Sequence, residues 1–491
     1  MTERLSLATL EGLPRDIAPR VDPCALGVGI VHLGIGAFHR AHQAVYTEHA
    51  IAAGGGDWGI CGVTQRSTDV VEQLQPQDGL YALAQRDGAG ERVRVIGAVR
   101  EVCWAHAEPE TVFERMATPA TRVISLTVTE KGYHHDPATN RLNLSDPAVA
   151  ADLADGGART VIAQLAAGLA RRRASDGGPI SVLCCDNLPD NGRVLGGLVA
   201  DFVHRSPGCD GLGDWIAANV TFPSSMVDRI TPATTDEDLA RIAGVLGARD
   251  EGAVVTEPFT QWVIEDDFAA GRPAWERAGA IMTGDVGPYE QIKLRLLNGS
   301  HSTLAYLGQL ADCEFIADAV RPFGAVVRRL MATDIAPTLA VPDGFDLAAY
   351  QDQLLERFAN PALHHRTIQV TMDGSQKLPV RLLAPIRERR RDGDELEAAT
   401  LGVTAWMRFV SARRSDSGRP LTVDDPLAEE IAQRLRGREE PAPVVDTLLA
   451  MTQIFDEELA ADAQWRALLI DQLTALQRDG AQRTAHRVAA A

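Results

Sequence analysis

The chain has 491 residues, 45% of them hydrophobic and 23% charged, the profile of an ordinary globular protein with room for two or three domains. A formal net charge of −19 and a pI near 5.1 exclude nucleic acid and anionic membrane as general partners, because the long-range field repels both. Residues 1–20 contain acids and no apolar core, and no window holds enough uninterrupted apolar residues for a spanning helix, so the cytoplasm is the expected compartment.

Strand-like runs alternate with helical periods until about residue 280. The clearest strands are 28–33, 58–63, 122–128 and 180–185, each apolar or β-branched and each followed by polar turn residues. Such alternation predicts an α/β domain with a parallel sheet and crossover helices. Directly after the first strand comes Gly34-Ile35-Gly36-Ala37-Phe38-His39-Arg40, the strand-turn-helix setting of a dinucleotide fingerprint. Gly34 permits the tight turn, and Gly36 lets main-chain N–H groups approach a pyrophosphate. The cofactor contacts are accordingly expected from Gly34, Ile35, Gly36, Ala37, Phe38 and Arg40. The third glycine of the fingerprint is absent, and His39 stands where helix and strand normally meet through Gly or Ala. After the second strand an acid would hold a ribose 2′-hydroxyl, whereas an Arg accommodates a 2′-phosphate. Here Gln65 and Arg66 come first and Asp69 follows, which favours NAD through Asp69 and leaves NADP open.

Beyond residue 281 the pattern changes to long helical periods, including 289–310, 316–332, 347–358 and 444–456. The expected division is a Rossmann-type domain over 1–282 and a mainly α-helical domain over 283–491. The charged stretch 389–396 reads as an exposed loop. Within the second domain the run 290–301, EQIKLRLLNGSH, places Glu290, Lys293, Asn298 and His301 inside an arc of roughly 140° at about 100° per residue. A Lys beside an amide and an imidazole suits metal-free oxidation of a secondary alcohol: a base for the hydroxyl proton, and donors that hold the oxygen while hydride leaves carbon. A solvated Lys and a satisfied His on an amphipathic helix is the plain alternative. Gly299 costs on the order of 1 kcal/mol inside a helix and is kept where something approaches the backbone closely. No metal is expected: the seven cysteines lack a C-x-x-C pair and read as buried thiols, and the His pairs at 134–135 and 364–365 lack the partners of a zinc site.

Several segments together resemble the polyol-specific long-chain dehydrogenases, the mannitol dehydrogenase family. They are GIGAFHRAHQ (34–43), QDGLYAL (77–83), SLTVTEKGY (125–133), CDNLPDNG (185–192), TFPSSMVDRITP (221–232), EPFTQWVIEDDF (257–268) and KLRLLNGSHSTLAYLG (293–308). The stretch 360–383 resembles the fructuronate reductase (mannonate oxidoreductase) branch. The resemblance implies an active site between the two domains and catalysis without metal. It makes Lys293 the general base, has Asn187 and Asn298 hold the substrate oxygen and has His301 orient the hydroxyl. Asp228 matches a substrate contact and Glu290 an acid on the proton exit path. As base, Lys293 needs its pKa lowered from about 10.4 to roughly 7–8, a cost of about 3–4 kcal/mol.

Tyr289 and Lys293 also spell the Y-x-x-x-K of short-chain dehydrogenases, but the length and the G-x-G-x-F fingerprint fit that family poorly. A sugar-acid substrate needs a local cation in so acidic a protein, and Arg366, Lys377 and Arg381 are the candidates. The expected activity is an NAD-dependent interconversion of a sugar acid or polyol with its keto form. D-Mannonate and D-fructuronate come first, and mannitol or an arabinitol-type polyol is the alternative. A redox sensor and a nonoxidative epimerase are the rival classes. The expected partner is the small-molecule substrate. The residues leave the oligomeric state open, and a monomer is compatible with them.

Overall fold

Six short apolar runs form the central sheet: β1 (Val28–Leu33), β2 (Gly59–Thr64), β3 (Val99–Trp104), β4 (Val123–Leu126), β5 (Ile180–Cys184) and β6 (Val220–Thr221). All pair in parallel, in the order β6-β5-β4-β1-β2-β3. The order reverses between β1 and β4, and in such doubly wound sheets ligands bind at the carboxyl ends beside that reversal. β2, β4 and β5 are buried throughout, which explains why they read as continuous apolar runs rather than alternating ones. One face packs on the helices Pro109–Ala117, Val161–Ala174 and Asn191–Arg205, the other on Gln43–Gly54 and two smaller sheets. The computed structural model describes residues 3–65, 67–136 and 139–491, so Arg66 lies outside the described residues.

The expected strand-helix alternation does not run to residue 280. Tyr81–Asp87 folds back antiparallel on Gly90–Ile96 and pairs in parallel with Val254–Thr256. Ser225–Asp228 pairs antiparallel with Gln261–Glu265, which in turn pairs in parallel with Ile281–Thr283. Local turns such as Asp87 to Gly90, whose amides at Ala89 and Gly90 bond the Asp87 carboxylate, permit hairpins that a crossover pattern does not contain. The first compact unit runs to Gly287 and the second spans Pro288–Ala491. Cys61, Cys103, Cys184 and Cys185 are buried thiols, whereas Cys24 is exposed.

At the centre of the second unit lies the helix Gly299–Leu310, buried at all twelve residues. Its neighbours come close because glycines face them: a Cβ on Gly402 would lie 2.5 Å from Thr303 Oγ1, and one on Gly308 3.1 Å from Ala319 Cβ. Helix 347–358 appears as expected, but the expected 289–310 and 316–332 are interrupted by π turns at Lys293–Asn298 and Leu330–Ile335. Periodicity alone cannot place such wide turns, because they insert a residue into a pattern whose apolar face is otherwise continuous. The helix expected at 444–456 is Pro441–Leu449. The arginines expected in an exposed loop instead act as staples. Arg390 bonds Asp462 at 2.7 and 3.1 Å, and Arg389 donates to the Thr333 carbonyl at 3.1 Å. Among the described residues no helix is long and apolar enough to cross a membrane.

Where the fingerprint lacks its third glycine, His39 stacks on His32 of β1 with ring centroids 3.4 Å apart and planes 16° from parallel. Thr127 Oγ1 donates to the Gly34 carbonyl at 2.9 Å and therefore accepts from His32 Nε2, also at 2.9 Å. His32 Nδ1 meets Ser125 Oγ at 2.8 Å. Burial holds the His32 pKa down at about 3, and the imidazole is neutral in the fold. An unfolded His32 takes up a proton below about pH 6.5, so its stabilisation is complete above that pH and is lost as the pH falls toward the folded value. The stability advantage of the wild type over His32→Gln should shrink between pH 7 and pH 5 by up to about 1.4 kcal/mol per unit. Chemical denaturation across that range measures it, and a pH-independent gap would contradict a buried neutral imidazole.

Candidate active site

The carboxyl edge of the first unit brings three loops together. The loop after β1 turns at Gly34, whose φ is +101° and whose added Cβ would sit 2.1 Å from the Thr127 carbonyl oxygen. At Gly36 a Cβ would meet nothing nearer than 3.9 Å, so the space in front of the turn is open. Ala37 and Phe38 begin the helix Ala37–Ala41, where amides lack intrahelical acceptors. This geometry fits a dinucleotide pyrophosphate, which Gly34, Gly36, Ala37 and Phe38 would cradle.

Two neighbours expected in that set face the fold instead. Ile35 gives its amide to the Val63 carbonyl at 3.2 Å and lays its side chain across Gly62, where a Cβ would be 2.1 Å from Ile35 Cδ1. Arg40 is buried and donates to the carbonyls of Gly36 and Gly252, bracing the loop from behind. At the tip of β2, Gln65 carries a buried amide nitrogen without a partner among the described residues. Asp69, expected at the ribose, is exposed in the first turn of the helix Asp69–Leu74.

The loops after β4 and β5 are joined by one carboxylate. Asp186 accepts from the amides of Val128 and Thr129 at 2.8 and 3.0 Å and from the Tyr133 hydroxyl at 2.6 Å. Burial pushes its pKa up despite those three donors. Thr129 is held at φ +69°, a conformation a β-branched residue adopts only under constraint. Asn187 follows directly and is exposed on this edge. Asn191 then clamps the loop to the next sheet. Its amide donates to the carbonyls of Asp186 and Ser225 at 3.0 and 2.7 Å and accepts from Ser225 N at 3.0 Å. Ser225 opens the strand that ends at the buried Asp228. Sequence reasoning passed over Asp186 and Asn191, although both lie in the quoted CDNLPDNG segment and an acid at the end of a parallel strand is a usable signal.

In the second unit Lys293, Asn298 and His301 share one continuous helical rod with Glu290 one turn earlier. The π turn bonds i to i+5, so Lys293 and Asn298 lie closer around the axis than the α-helical spacing predicts. Lys293 is buried. Gly299 is packed by the main chain of Arg381, whose carbonyl oxygen would be 3.1 Å from an added Cβ. His301 stacks on Phe358 at 5.1 Å and meets His365 edge-on at 4.9 Å. Its Nε2 is buried and has no hydrogen-bond partner among the described residues. An unpaired buried nitrogen costs about 1–3 kcal/mol, which a ligand hydroxyl would recover. Burial, followed by the neighbouring imidazole of His365 and the positive charges of Arg381, Arg357 and Lys377, holds the His301 pKa well below its ordinary value.

Of the three cations expected at a substrate carboxylate, two act on His301 through their charge. Arg381 donates to Ser302 Oγ at 3.0 Å, and Lys377 reaches the Met372 carbonyl. Arg366 does not join them: it is exposed, pairs with Glu314 at 3.4 Å and lies over the Phe315 ring. The buried Arg357 joins the set in its place, at a position with no distinguishing sequence signal. Among the described residues no group of three or more His, Cys, Asp or Glu side chains is arranged to hold a metal ion.

A doubly wound parallel sheet with a glycine turn at its reversal defines the first unit as a dinucleotide-binding domain of an oxidoreductase. Residues 28–277 match the mannitol dehydrogenase Rossmann domain and residues 285–477 the mannitol dehydrogenase C-terminal domain, so the chain belongs to the mannitol dehydrogenase family. It is 42% identical over 455 residues to a D-mannonate oxidoreductase of Escherichia coli, covering 91% of this chain and 93% of the relative. To a mannitol 2-dehydrogenase of Pyrenophora tritici-repentis it is 38% identical over 489 residues, covering 98% and 85%. The structure of Pseudomonas fluorescens mannitol 2-dehydrogenase in ternary complex with NAD and D-mannitol superposes with a TM-score of 0.87 at 35% identity, covering 99% of both chains.

Gly34→Ala should lose most cofactor affinity, because the new methyl group needs a disfavoured φ and the space of the Thr127 carbonyl oxygen. The strain is on the order of 1–3 kcal/mol. NADH titration by protein fluorescence and a thermal melt measure the two effects, and a variant with wild-type affinity would show that the turn does not shape the cradle.

Proposed function

We propose that the chain is an NAD-dependent secondary-alcohol dehydrogenase that interconverts D-mannonate and D-fructuronate, with Lys293 as the base. The observation that carries the sugar-acid reading is the set of cations around His301, namely Arg357, Lys377 and Arg381 with the imidazole of His365. A neutral polyol needs no such set in a protein of net charge −19, whereas a carboxylate does. The similarity to a D-mannonate oxidoreductase agrees with it.

NAD, when bound, supplies the acceptor for the hydride that leaves the carbinol carbon. The protein's part is to take the hydroxyl proton and hold the oxygen. Lys293 Nζ, neutral before the step, receives that proton. The side-chain amides of Asn187 and Asn298 donate to the developing oxyanion, which strengthens both bonds as negative charge grows. The unpaired Nε2 of His301 takes up a substrate hydroxyl and fixes its orientation. Glu290, one turn before Lys293, passes the proton on to solvent. Reduction of the keto acid runs the same steps backward, with Lys293 donating.

Lys293→Ala should lower turnover by about 10²–10⁴ while leaving NADH affinity within a few-fold. Steady-state kinetics beside a fluorescence titration separate the two. Near-normal turnover would move the search for the base to Tyr289.

D-Fructuronate should be reduced in preference to fructose. Neutralising Lys377 or Arg381 should weaken use of the acid by roughly 10- to 150-fold, the worth of one charge-assisted hydrogen bond. The neutral ketose should lose much less. Equal losses for both substrates would assign these cations to the fold. A wild-type preference for mannitol would establish the second reading, a neutral-polyol dehydrogenase, which the likeness to two mannitol 2-dehydrogenases supports.

A further inference from the structure

Only three of the 48 Lys and Arg residues are lysine: Lys131, Lys293 and Lys377. Ion pairs over the surface are made by arginine, as in Arg272 with Asp266, Arg391 with Glu458 and Arg466 with Asp446. Where a cation has only to be solvated or paired, this chain therefore uses the guanidinium. A lysine is retained where a compact, rotatable ammonium does something the planar fork does not. Two of the three already have such places, in the proposed base and in the cation set around His301. The third lies in neither.

Lys131 is exposed within the tight turn Glu130–Tyr133. That turn is fixed at both ends by one group: the Asp186 carboxylate takes the amides of Val128 and Thr129 before it and the Tyr133 hydroxyl after it. The turn is also closed tightly, since a Cβ on Gly132 would lie 3.2 Å from Val128 Cβ. On one side the same loop is bonded to the cofactor cradle, through Thr127 Oγ1 and the Gly34 carbonyl at 2.9 Å. On the other it is bonded to the residue that precedes Asn187. A long cationic side chain thus stands on a rigid mount at the sheet's carboxyl edge, beside the Gly34 turn and the Asn187 loop.

We propose that Lys131 is a binding residue for an oxyanion at this edge, the third functional lysine of the chain. Two anions come to such a place, the carboxylate of the substrate and the pyrophosphate of the cofactor. The first rests on the sugar-acid reading above and the second does not. Their chemistry toward an ammonium is shared, and the test tells them apart.

Lys131→Ala and Lys131→Arg are compared with wild type in two measurements, the NADH dissociation constant by fluorescence and the ratio of kcat/KM for fructuronate over fructose. If the anion is the substrate's, the alanine variant lowers the ratio by tenfold or more at unchanged NADH affinity. If it is the cofactor's, the NADH dissociation constant rises tenfold or more and the ratio stays put. In either case Lys131→Arg should recover less than a third of the loss. Should the wild type prove indifferent to the carboxylate, the sugar-acid reading fails by itself, and the NADH measurement alone decides for Lys131. An alanine variant within twofold of wild type in both measurements overturns the proposal, and so does an arginine variant equal to wild type. A thermal melt of both variants verifies that the exposed substitution leaves the fold intact.

Discussion

The carboxyl edge of the first unit depends on a half-buried carboxylate. Removing Asp186 from water is unfavourable, and three short hydrogen bonds offset that cost without bringing its pKa back to the ordinary range. What the bonds achieve is geometric. They join the ends of β4 and β5, hold Thr129 in a conformation it would not choose, and set Asn187 on a fixed loop. Asn191 extends the same tie to Ser225 and hence to the strand carrying Asp228. The Asn187 loop and the Asp228 strand are thereby referenced to one another through main-chain atoms, which is more rigid than direct contact between long side chains.

The second unit solves its positioning problem with a helix. Lys293, Asn298 and His301 are carried on a rod whose continuation is buried at every residue, so the rod has little freedom to tilt or slide. The approach of the Arg381 main chain to Gly299 brings the segment holding Arg381, and with it the cation set, against the same rod. Electrostatics follow from packing here. A buried imidazole ringed by positive charges stays neutral and keeps a nitrogen available.

Much of this was legible in the sequence where the signal is local. β1 and the helix 347–358 fall where hydrophobic period places them, and the Gly34 turn is recognisable because only a few residue types tolerate its geometry. The run from Glu290 to His301 announces a polar face on an otherwise apolar helix. Less legible was anything decided by partners distant in sequence. Arg366 turns to Glu314 while the buried Arg357 acts on His301, and no spacing rule encodes that. Arg40 and Ile35 sit inside the fingerprint yet serve the fold, since a motif records position and not the direction of a side chain. The hairpin at 81–96 went unread because its first strand also pairs with Val254–Thr256, far along the chain.

The π turn at Lys293–Asn298 amounts to one residue more than a regular helix needs for the same span. Losing any one residue from that turn would let the rod relax into an ordinary α-helix, with better main-chain bonding and an unbroken apolar stripe. Everything beyond the turn would then keep its phase, because an α turn covers with one residue fewer the rotation that the wide turn covers, whereas winding the full-length turn as α-helix would rotate it by about 100° and shift it by about 1.5 Å relative to Lys293. The wide turn therefore decides the direction in which Asn298 and His301 leave the axis relative to Lys293. The alignment of these three side chains is thus stored in the main-chain bonding pattern of one turn as much as in their residue types.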